Sequence, residues 1–134
     1  MSIFNLKNPT NIDTNPFAKH THVKLLDVTE QGAHAYIDLC PELMNPYGSV
    51  HGGVYFTLAD TCAGFAARAD GRFYVTQQAS SQFIRTVNEG RITAEGVVVN
   101  RGKNVCFVEV FVRDEAQRLL FQATFNYFCL GSEE

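Results

Sequence analysis

Proline is scarce in this sequence, and so is any excess of positive charge. Only four of its 134 residues are proline and 46% are hydrophobic, which argues against a disordered chain. The 11 Lys and Arg residues stand against 14 Asp and Glu, so the net charge is −3. We therefore expect no general affinity for nucleic acid, and any anion site must be a local cluster of residues.

Cysteines, histidines and apolar runs give no disulfide, metal-binding or membrane signature. The four cysteines contain no Cys-x-x-Cys pair, and His20 and His22 lack an apparent third ligand, so no metal or other cofactor is expected. No apolar run approaches the ~18 residues of a spanning helix, and the N-terminal stretch lacks the charged-then-apolar pattern of a secretion signal. We predict one cytoplasmic domain over residues 1–134, with a polar N-terminal segment at 1–15.

The spacing of apolar residues predicts six strands and one long buried helix. Residues 52–69 lack strand alternation and are rich in alanine, which favours a helix that is apolar almost all round. Asn15 before Pro16 is typical of the start of a short helix. The strand-like segments are about 23–29, 33–39, 73–87, 91–101, 104–114 and 118–130.

Short links between these strands favour an antiparallel sheet, and hence an α+β fold with the sheet wrapped around the helix. In residues 104–114 apolar side chains occur on both faces of the strand, so both faces should be at least partly covered. Because a single helix can cover only one face of a sheet, the second apolar face suggests a homo-oligomer.

One carboxylate interrupts the predicted central helix. Asp60 is the only acidic residue between His51 and Ala67, and Leu58 and Cys62 are among its apolar neighbours. A buried ionised carboxylate must be paired or hydrogen-bonded. Asp60 is therefore either a structural residue, on a polar stripe or at a subunit contact, or part of a functional site.

The helix begins at Gly52 and Gly53, after a polar loop. The first turn of a helix leaves N–H groups unsatisfied, and glycine lets a ligand approach them, although a glycine pair is also common at a tight loop-to-helix entry. Such a terminus can stabilise negative charge on a carbonyl oxygen. Gly52 lies about 12 Å from Asp60 along a helix, too far for both to contact one small reacting group. Either they serve different purposes, or Gly52 of one subunit faces Asp60 of another across a two-fold dimer.

The string N-x-x-G-x-x-H-G-G-x-x-x-x-L-A-D, from Asn45 to Asp60, resembles the hotdog-fold acyl-CoA thioesterases. It is most similar to the phenylacetate-degradation type, which is related to one group of 4-hydroxybenzoyl-CoA thioesterases. The likeness covers about residues 15–130. It implies a hotdog fold, an antiparallel sheet wrapped around one long central helix. It also implies metal-free hydrolysis of an acyl-CoA to a carboxylic acid and free CoA. The enzyme would be a homo-oligomer, a dimer with shared active sites or a tetramer, and the resemblance favours the tetramer.

The resemblance also implies a role for each motif residue. Asp60 matches the catalytic carboxylate, as nucleophile or as general base on water, and it comes from the facing subunit. Gly52 matches the N–H donor that polarises the thioester carbonyl, and Asn45 matches a side chain near that carbonyl. His51 matches a loop residue that shapes the site. Thr76 matches a Ser or Thr that orients the attacking water.

The alternative to Thr76 is Gln77 or Gln78, because the loop that precedes this strand is shorter than in the family. The residues that would bind CoA are Gly53, in the first turn of the helix, and three basic residues. The basic candidates for the CoA phosphates are Arg85, Arg101 and Lys103, each equally well explained as a solvated charge. The acyl group, aryl or arylacetyl among the options, is left open.

Two other functions stay open at this point. A hotdog dehydratase or hydratase would pair a catalytic histidine with the acid, but His51 lies outside such a motif. A non-catalytic acyl-CoA-binding module would use Asp60 only to stabilise a dimer. The Gly-Ser-Val-His-Gly segment around Ser49 does not match a nucleophile elbow. Cys62 lies roughly 200° around the helix from Asp60, so we expect it in the core.

Overall fold

Six strands form one antiparallel sheet in the computed structural model, which describes residue 12 and residues 15–132. Most of the predicted polar segment at 1–15 lies outside these described residues. In chain order the elements are α1 (Pro16–His20), β1 (Lys24–Thr29), β2 (Gly32–Asp38), a 3-10 helix (Pro41–Leu43), α2 (Gly52–Arg68), β3 (Arg72–Phe83), β4 (Arg91–Arg101), β5 (Val105–Arg113) and β6 (Leu119–Ser132).

The strand order in the sheet is β1-β2-β4-β5-β6-β3, and every neighbouring pair is antiparallel. Strand β3 follows the long helix in sequence, but it pairs with β6 and forms one edge of the sheet. The predicted α+β arrangement, an antiparallel sheet around one long helix, is confirmed. The sequence pattern did not give this strand order, because alternation identifies a strand without naming its partner.

Helix α2 packs on the inner face of the sheet, where it contacts all six strands. Its small and apolar residues allow this close approach, and Leu58, Ala59 and Cys62 are fully buried. Strand β5 shows the expected alternation. Its inward residues have no exposed surface; they are Cys106, Val108, Val110 and Val112. Its outward residues are half-buried. Burial of the inner face against α2 is the main apolar contribution to the fold.

One stripe of α2 is not covered by the sheet, which corrects the prediction of a helix buried almost all round. The stripe, which we call the open face, contains the half-buried or exposed residues Gly53, Thr57, Asp60, Thr61 and Arg68. Their spacings of three, four or seven residues, with Asp60 and Thr61 adjacent, place them along one side of the helix. Among the described helices, none combines the length and apolar character needed to cross a bilayer.

Candidate active site

Asp60 lies near the middle of the open face, with its carboxylate held by two hydroxyl groups. The Tyr127 hydroxyl lies 2.6 Å from Oδ1 of Asp60, and the Thr76 hydroxyl donates to the same oxygen at 2.8 Å. Within the described residues, Oδ2 makes no hydrogen bond. One carboxylate oxygen is therefore fixed, while the other is available to a water molecule or a substrate.

The sheet brings the two hydroxyls together. Thr76 on β3 and Tyr127 on β6 are direct cross-strand partners, so their side chains lie on the same face of the sheet. An irregularity between Thr76 and Gln78 follows immediately and leaves Gln77 out of the ladder. Of the three residues that the sequence left open, the structure therefore brings Thr76 to Asp60. Neither glutamine hydrogen-bonds to Asp60.

Tyr127 was not predicted from the sequence. Its side chain is buried, and burial together with the nearby Asp60 carboxylate raises its pKa well above the usual value. The neutral hydroxyl is therefore kept as a donor. The available signal was its place after Phe121, Ala123 and Phe125 in the inward set of β6, because a tyrosine in an apolar row needs a partner for its hydroxyl.

Helix α2 begins at Gly52 and Gly53, as predicted. Nδ1 of His51, the N-cap residue, accepts a hydrogen bond from the Gly53 N–H at 2.8 Å. The ring lies so close that a Cβ at Gly53 would come within 3.0 Å of it. The Gly53 N–H, predicted to bind substrate, is therefore already used by the cap. The Gly52 N–H donates to no group in the described part of the chain.

Asn45 organises the loop that leads to this helix end. Its side-chain Oδ1 accepts hydrogen bonds from the N–H groups of Tyr47, at 2.9 Å, and Ser49, at 3.1 Å. These bonds close the turn that carries the chain to His51. The amide NH₂ of Asn45 is left for other contacts, so the structure adds a loop-closing role to the one implied by the resemblance.

The helix end and Asp60 line different cavities. His51, Gly53 and Thr57 line one of about 280 Å³, whereas Asp60 and Thr76 line another of about 310 Å³. Because α2 is one continuous helix, Gly52 and Asp60 are separated by about 12 Å. A larger cavity of about 720 Å³ contains neither Gly52 nor Asp60. A single chain thus does not bring these two groups to one point.

Arg101, which the sequence predicted to bind a CoA phosphate, instead uses its guanidinium to cap the C-terminal end of α2. It donates hydrogen bonds to the Ala66 carbonyl at 2.8 Å and to the Glu30 carbonyl at 2.6 Å. Its Nε lies 3.3 Å from the Asp70 carboxylate, and only 19% of the side chain is exposed. A cation at a helix C-terminus satisfies carbonyl groups and offsets the helix dipole.

The other two basic candidates have exposed side chains. Lys103 lies in the turn between β4 and β5, near the C-terminal end of α2. Arg85 follows β3 by two residues, and its carbonyl accepts a hydrogen bond from the Tyr55 hydroxyl at 2.8 Å. The ring of Phe83 lies 3.2 Å from where a Cβ would stand at Gly52. Because Arg85 is two residues from Phe83, its backbone lies near the N-terminal end of α2.

The predicted core cysteine is confirmed, but one histidine has more partners than expected. Cys62 is fully buried, and burial raises the pKa of its thiol to about 12. His22 contacts Glu42 through Nε2, and with Cys40 the three donor atoms lie within 4.8 Å of one another. The fold therefore supplies a donor set that was not apparent in the sequence, because Cys40 and Glu42 join His22 and His20 is not part of it. Cys40 and Glu42 come from the segment around the 3-10 helix, about twenty residues further along the chain.

Residues 47–121 match the family model described as the thioesterase superfamily. The acyl-coenzyme A thioesterase PaaI of Escherichia coli is 26% identical over 102 residues, which are 75% of this chain and 73% of that protein. A mutant of the phenylacetic acid degradation protein PaaI from Thermus thermophilus superposes with a TM-score of 0.82 at 25% identity, covering 87% of this chain and 100% of that one.

A hypothetical thioesterase from Streptococcus pneumoniae, solved with coenzyme A, superposes with a TM-score of 0.84 at 23% identity. That match covers 92% of this chain and 100% of the other and shows a common fold. The family model, in turn, covers more than half of the sequence and includes Gly52, Asp60 and Thr76. This chain therefore belongs to the thioesterase superfamily, and its sheet around a single long helix is the hotdog fold.

Proposed function

We propose that this protein hydrolyses acyl-CoA thioesters, with Asp60 as the catalytic carboxylate. The observation that carries the proposal is the carboxylate itself, with Oδ1 held by Tyr127 and Thr76 and Oδ2 unoccupied by any described residue. A relative named as an acyl-coenzyme A thioesterase, 26% identical, supports the choice of substrate. The fixed oxygen orients the group, and the free oxygen acts on the substrate or on water.

In the reaction, the thioester carbonyl accepts a hydrogen bond from the Gly52 N–H, which stabilises the negative charge on its oxygen. Asp60 either takes a proton from an attacking water or attacks the carbonyl carbon itself, and water then cleaves the resulting anhydride. In both routes the C–S bond breaks and CoA leaves as a thiolate, which takes up a proton derived from the water. In the general-base route the product acid keeps the water oxygen. In the anhydride route the acid keeps the water oxygen if water attacks the acyl carbonyl, and an Asp60 oxygen if water attacks the Asp60 carbonyl. The Thr76 hydroxyl donates a hydrogen bond to Asp60. The Thr76 oxygen can therefore accept a hydrogen bond from the attacking water.

The site is completed by a second copy of the chain. Gly52 and Asp60 lie about 12 Å apart on one helix. In a two-fold dimer with antiparallel helices, Gly52 of each subunit would face Asp60 of the other. The open edge of β3 supports this assembly, because Val75 to Gln78 are exposed there. Half-buried apolar residues on the outer face of β5 offer a second contact, which would make a tetramer from two dimers.

The hydratase alternative is less well supported, because it needs a histidine that exchanges protons with the substrate. His51 uses Nδ1 to accept the Gly53 N–H, so that nitrogen is committed to capping the helix. No histidine of the described chain, His51 included, lines the cavity that contains Asp60. Incubation with an enoyl-CoA separates the two reactions: hydration without release of thiol would contradict the thioesterase proposal.

The first test is Asp60→Asn, which keeps the shape of the side chain and removes the carboxylate charge. We expect the variant to fold and form the same oligomer, and to lose about a thousandfold in kcat for thiol release. The substrates are aryl-, arylacetyl- and straight-chain acyl-CoAs. The matched control is Thr61→Ser, the next residue on the same open face, which should retain turnover. Near-normal hydrolysis by Asp60→Asn would overturn the assignment.

The second test asks whether two subunits share a site. Gly52→Pro removes the N–H at the first helical position, where proline is tolerated. Mixed dimers that pair this variant with Asp60→Asn would contain one site with both groups intact. We expect each pure variant to be nearly inactive and the mixture to regain activity. No recovery in mixed dimers, verified by differential tagging, would mean that each chain carries its own complete site.

A further inference from the structure

Arg68, the last residue of α2, places a cation in the cavity that contains Asp60. The cavity, of about 310 Å³, is lined by Asp60, Gly64, Arg68 and Thr76, among others. The guanidinium is mostly buried, and burial lowers its pKa from the usual value, yet an arginine stays charged at neutral pH. The Arg68 cation therefore lines the same cavity as the Asp60 carboxylate.

Gly64 provides the space in which the guanidinium lies. A Cβ at Gly64 would come within 3.0 Å of Nη1 of Arg68, so an alanine there would displace the charged group. The guanidinium carbon also lies 5.2 Å from the centre of the Phe65 ring. The side chain therefore folds back along α2 by about one turn, toward Asp60, instead of extending past the end of the helix.

No acid of the described chain forms a direct ion pair with Arg68, although the Asp60 carboxylate in the same cavity attracts it from a distance. The ion pairs formed by residues 15–132 do not include it, and its buried Nε has no hydrogen-bond partner there. Oδ1 of Asp60 is occupied by the two hydroxyls of Tyr127 and Thr76. A largely buried charge without a directly hydrogen-bonded counter-ion is costly, and a ligand that supplies the opposite charge at contact distance offsets that cost.

We infer that the preferred substrates carry a carboxylate at the far end of the acyl group, in addition to the phosphates of CoA, and that Arg68 binds this carboxylate. The inference rests on the proposed thioesterase reaction and assigns its substrate class. Gly64 is one helical turn, about 6 Å, from Asp60. An acyl group with its carbonyl at Asp60 and its carboxylate at Arg68 therefore has a short spacer of a few methylene groups. Mono-thioesters of short dicarboxylic acids, such as glutaryl- and adipyl-CoA, have this shape.

The arrangement gives Arg68 a bidentate donor face for a carboxylate, which a lysine would not reproduce. The two acids in the cavity, Asp60 and the substrate carboxylate, repel each other, and Arg68 lies where it offsets that repulsion. A neutral acyl group of the same length would leave the guanidinium unpaired. Selectivity then follows because the complex with a neutral acyl group lacks the charge-assisted hydrogen bond to Arg68.

The experiment compares charged and neutral acyl groups of equal carbon number. We would measure kcat/KM for glutaryl-CoA against valeryl-CoA and for adipyl-CoA against hexanoyl-CoA, after subtracting spontaneous hydrolysis. The native protein should prefer the charged member of each pair by about tenfold to a hundredfold. Arg68→Gln should abolish that preference, Arg68→Lys should keep part of it, and Gly64→Ala should reduce it by displacing the guanidinium.

Two other roles for Arg68 predict different results. If Arg68 only orients Asp60, the Arg68→Gln variant loses activity equally on both members of a pair, and the inference is wrong. If an acid of the partner subunit neutralises Arg68, the native protein shows no preference, and Arg68→Gln weakens the dimer in size-exclusion chromatography. That result also overturns the inference.

Failure of the proposed function would look different again. If no acyl-CoA is hydrolysed, calorimetric titration of the native protein with glutaryl-CoA and valeryl-CoA still measures the preference. Tighter binding of glutaryl-CoA, lost in Arg68→Gln, would support the role of Arg68 without the reaction. Equal binding of the two would contradict it. Active hydrolysis with no preference would leave the thioesterase proposal intact and remove the inference alone.

Discussion

The two ends of helix α2 differ in what satisfies their backbone groups. At the N-terminal end one side chain, His51, accepts from Gly53, and the Gly52 N–H is left for a group from outside the described chain. At the C-terminal end Arg101 donates to the carbonyls of Ala66 and Ala67, and Asp70 holds Arg101 in turn. The positive end of the helix is open, and its negative end is closed by the protein's own cation.

This difference separates function from stability along a single helix. A group that is satisfied internally contributes to folding, whereas a group left without a partner is available to a ligand. We therefore expect substitutions at the open end to reduce catalysis with little change in stability. Substitutions at the closed end should do the reverse.

The largest expected effect is at the open end. Gly52→Pro removes the N–H but keeps a residue suited to the first position of a helix, because His51 before it is extended at ψ 136°. We expect kcat/KM to fall by about a hundredfold to a thousandfold, as for loss of an oxyanion donor. Gly52→Ala is the control, since it keeps the N–H and adds only a Cβ near Phe83. Equal losses in both variants would mean that packing, and not the donor, matters.

The next effect is at the closed end. Arg101→Met removes the cation that caps α2 and leaves its carbonyl acceptors buried, so the free energy of unfolding should fall by about 2–3 kcal/mol. Chemical denaturation measures this change, and KM for an acyl-CoA should change little in the folded fraction. A raised KM at unchanged stability would restore Arg101 as a phosphate ligand and break the comparison of the two ends.

The smallest expected effect is a pH dependence of the stability that the C-terminal end of α2 contributes. Burial alone would raise the pKa of Asp70, but hydrogen bonds from Tyr74 and Arg72 outweigh it and hold that pKa below its usual value. Because the folded pKa is depressed, this stabilisation is present above the usual pKa of 3.8 and is lost as the pH falls below it.

The Asp70→Asn variant tests this sign. It should be less stable than the native protein at neutral pH by about 1–2 kcal/mol, as expected for weakened hydrogen bonds to a charged group. The gap should close as the native carboxylate is protonated. Urea titrations across the acid range measure it. A gap that is constant with pH would mean that the ionisation of Asp70 does not contribute.

Local sequence patterns predicted the helix and strands well, because alternation and turn residues are local properties. The helix expected at 52–69 is observed at Gly52–Arg68, and Asn15 caps α1 as expected. The separation of Gly52 and Asp60 was also predicted, because it follows from the pitch of a helix.

Contacts between distant segments could not be predicted in the same way. Tyr127 reaches Asp60 from a strand 67 residues away, and Arg101 closes a helix that ended more than thirty residues earlier. Neither pairing leaves a periodic trace in the sequence. The charge of Arg101 was visible in the sequence, but its burial and its contacts with the helix carbonyls were not.

The outer edge of β3 has a consequence for how the protein reaches its folded form. Eleven of the twelve residues of this strand are paired, all on one side only, and Phe83 at its end is 57% exposed. An unpaired strand edge accepts any extended segment, so docking of a second copy competes with misassembly. Refolding yield should therefore depend on concentration and on the outward residues of β3, even where equilibrium stability does not.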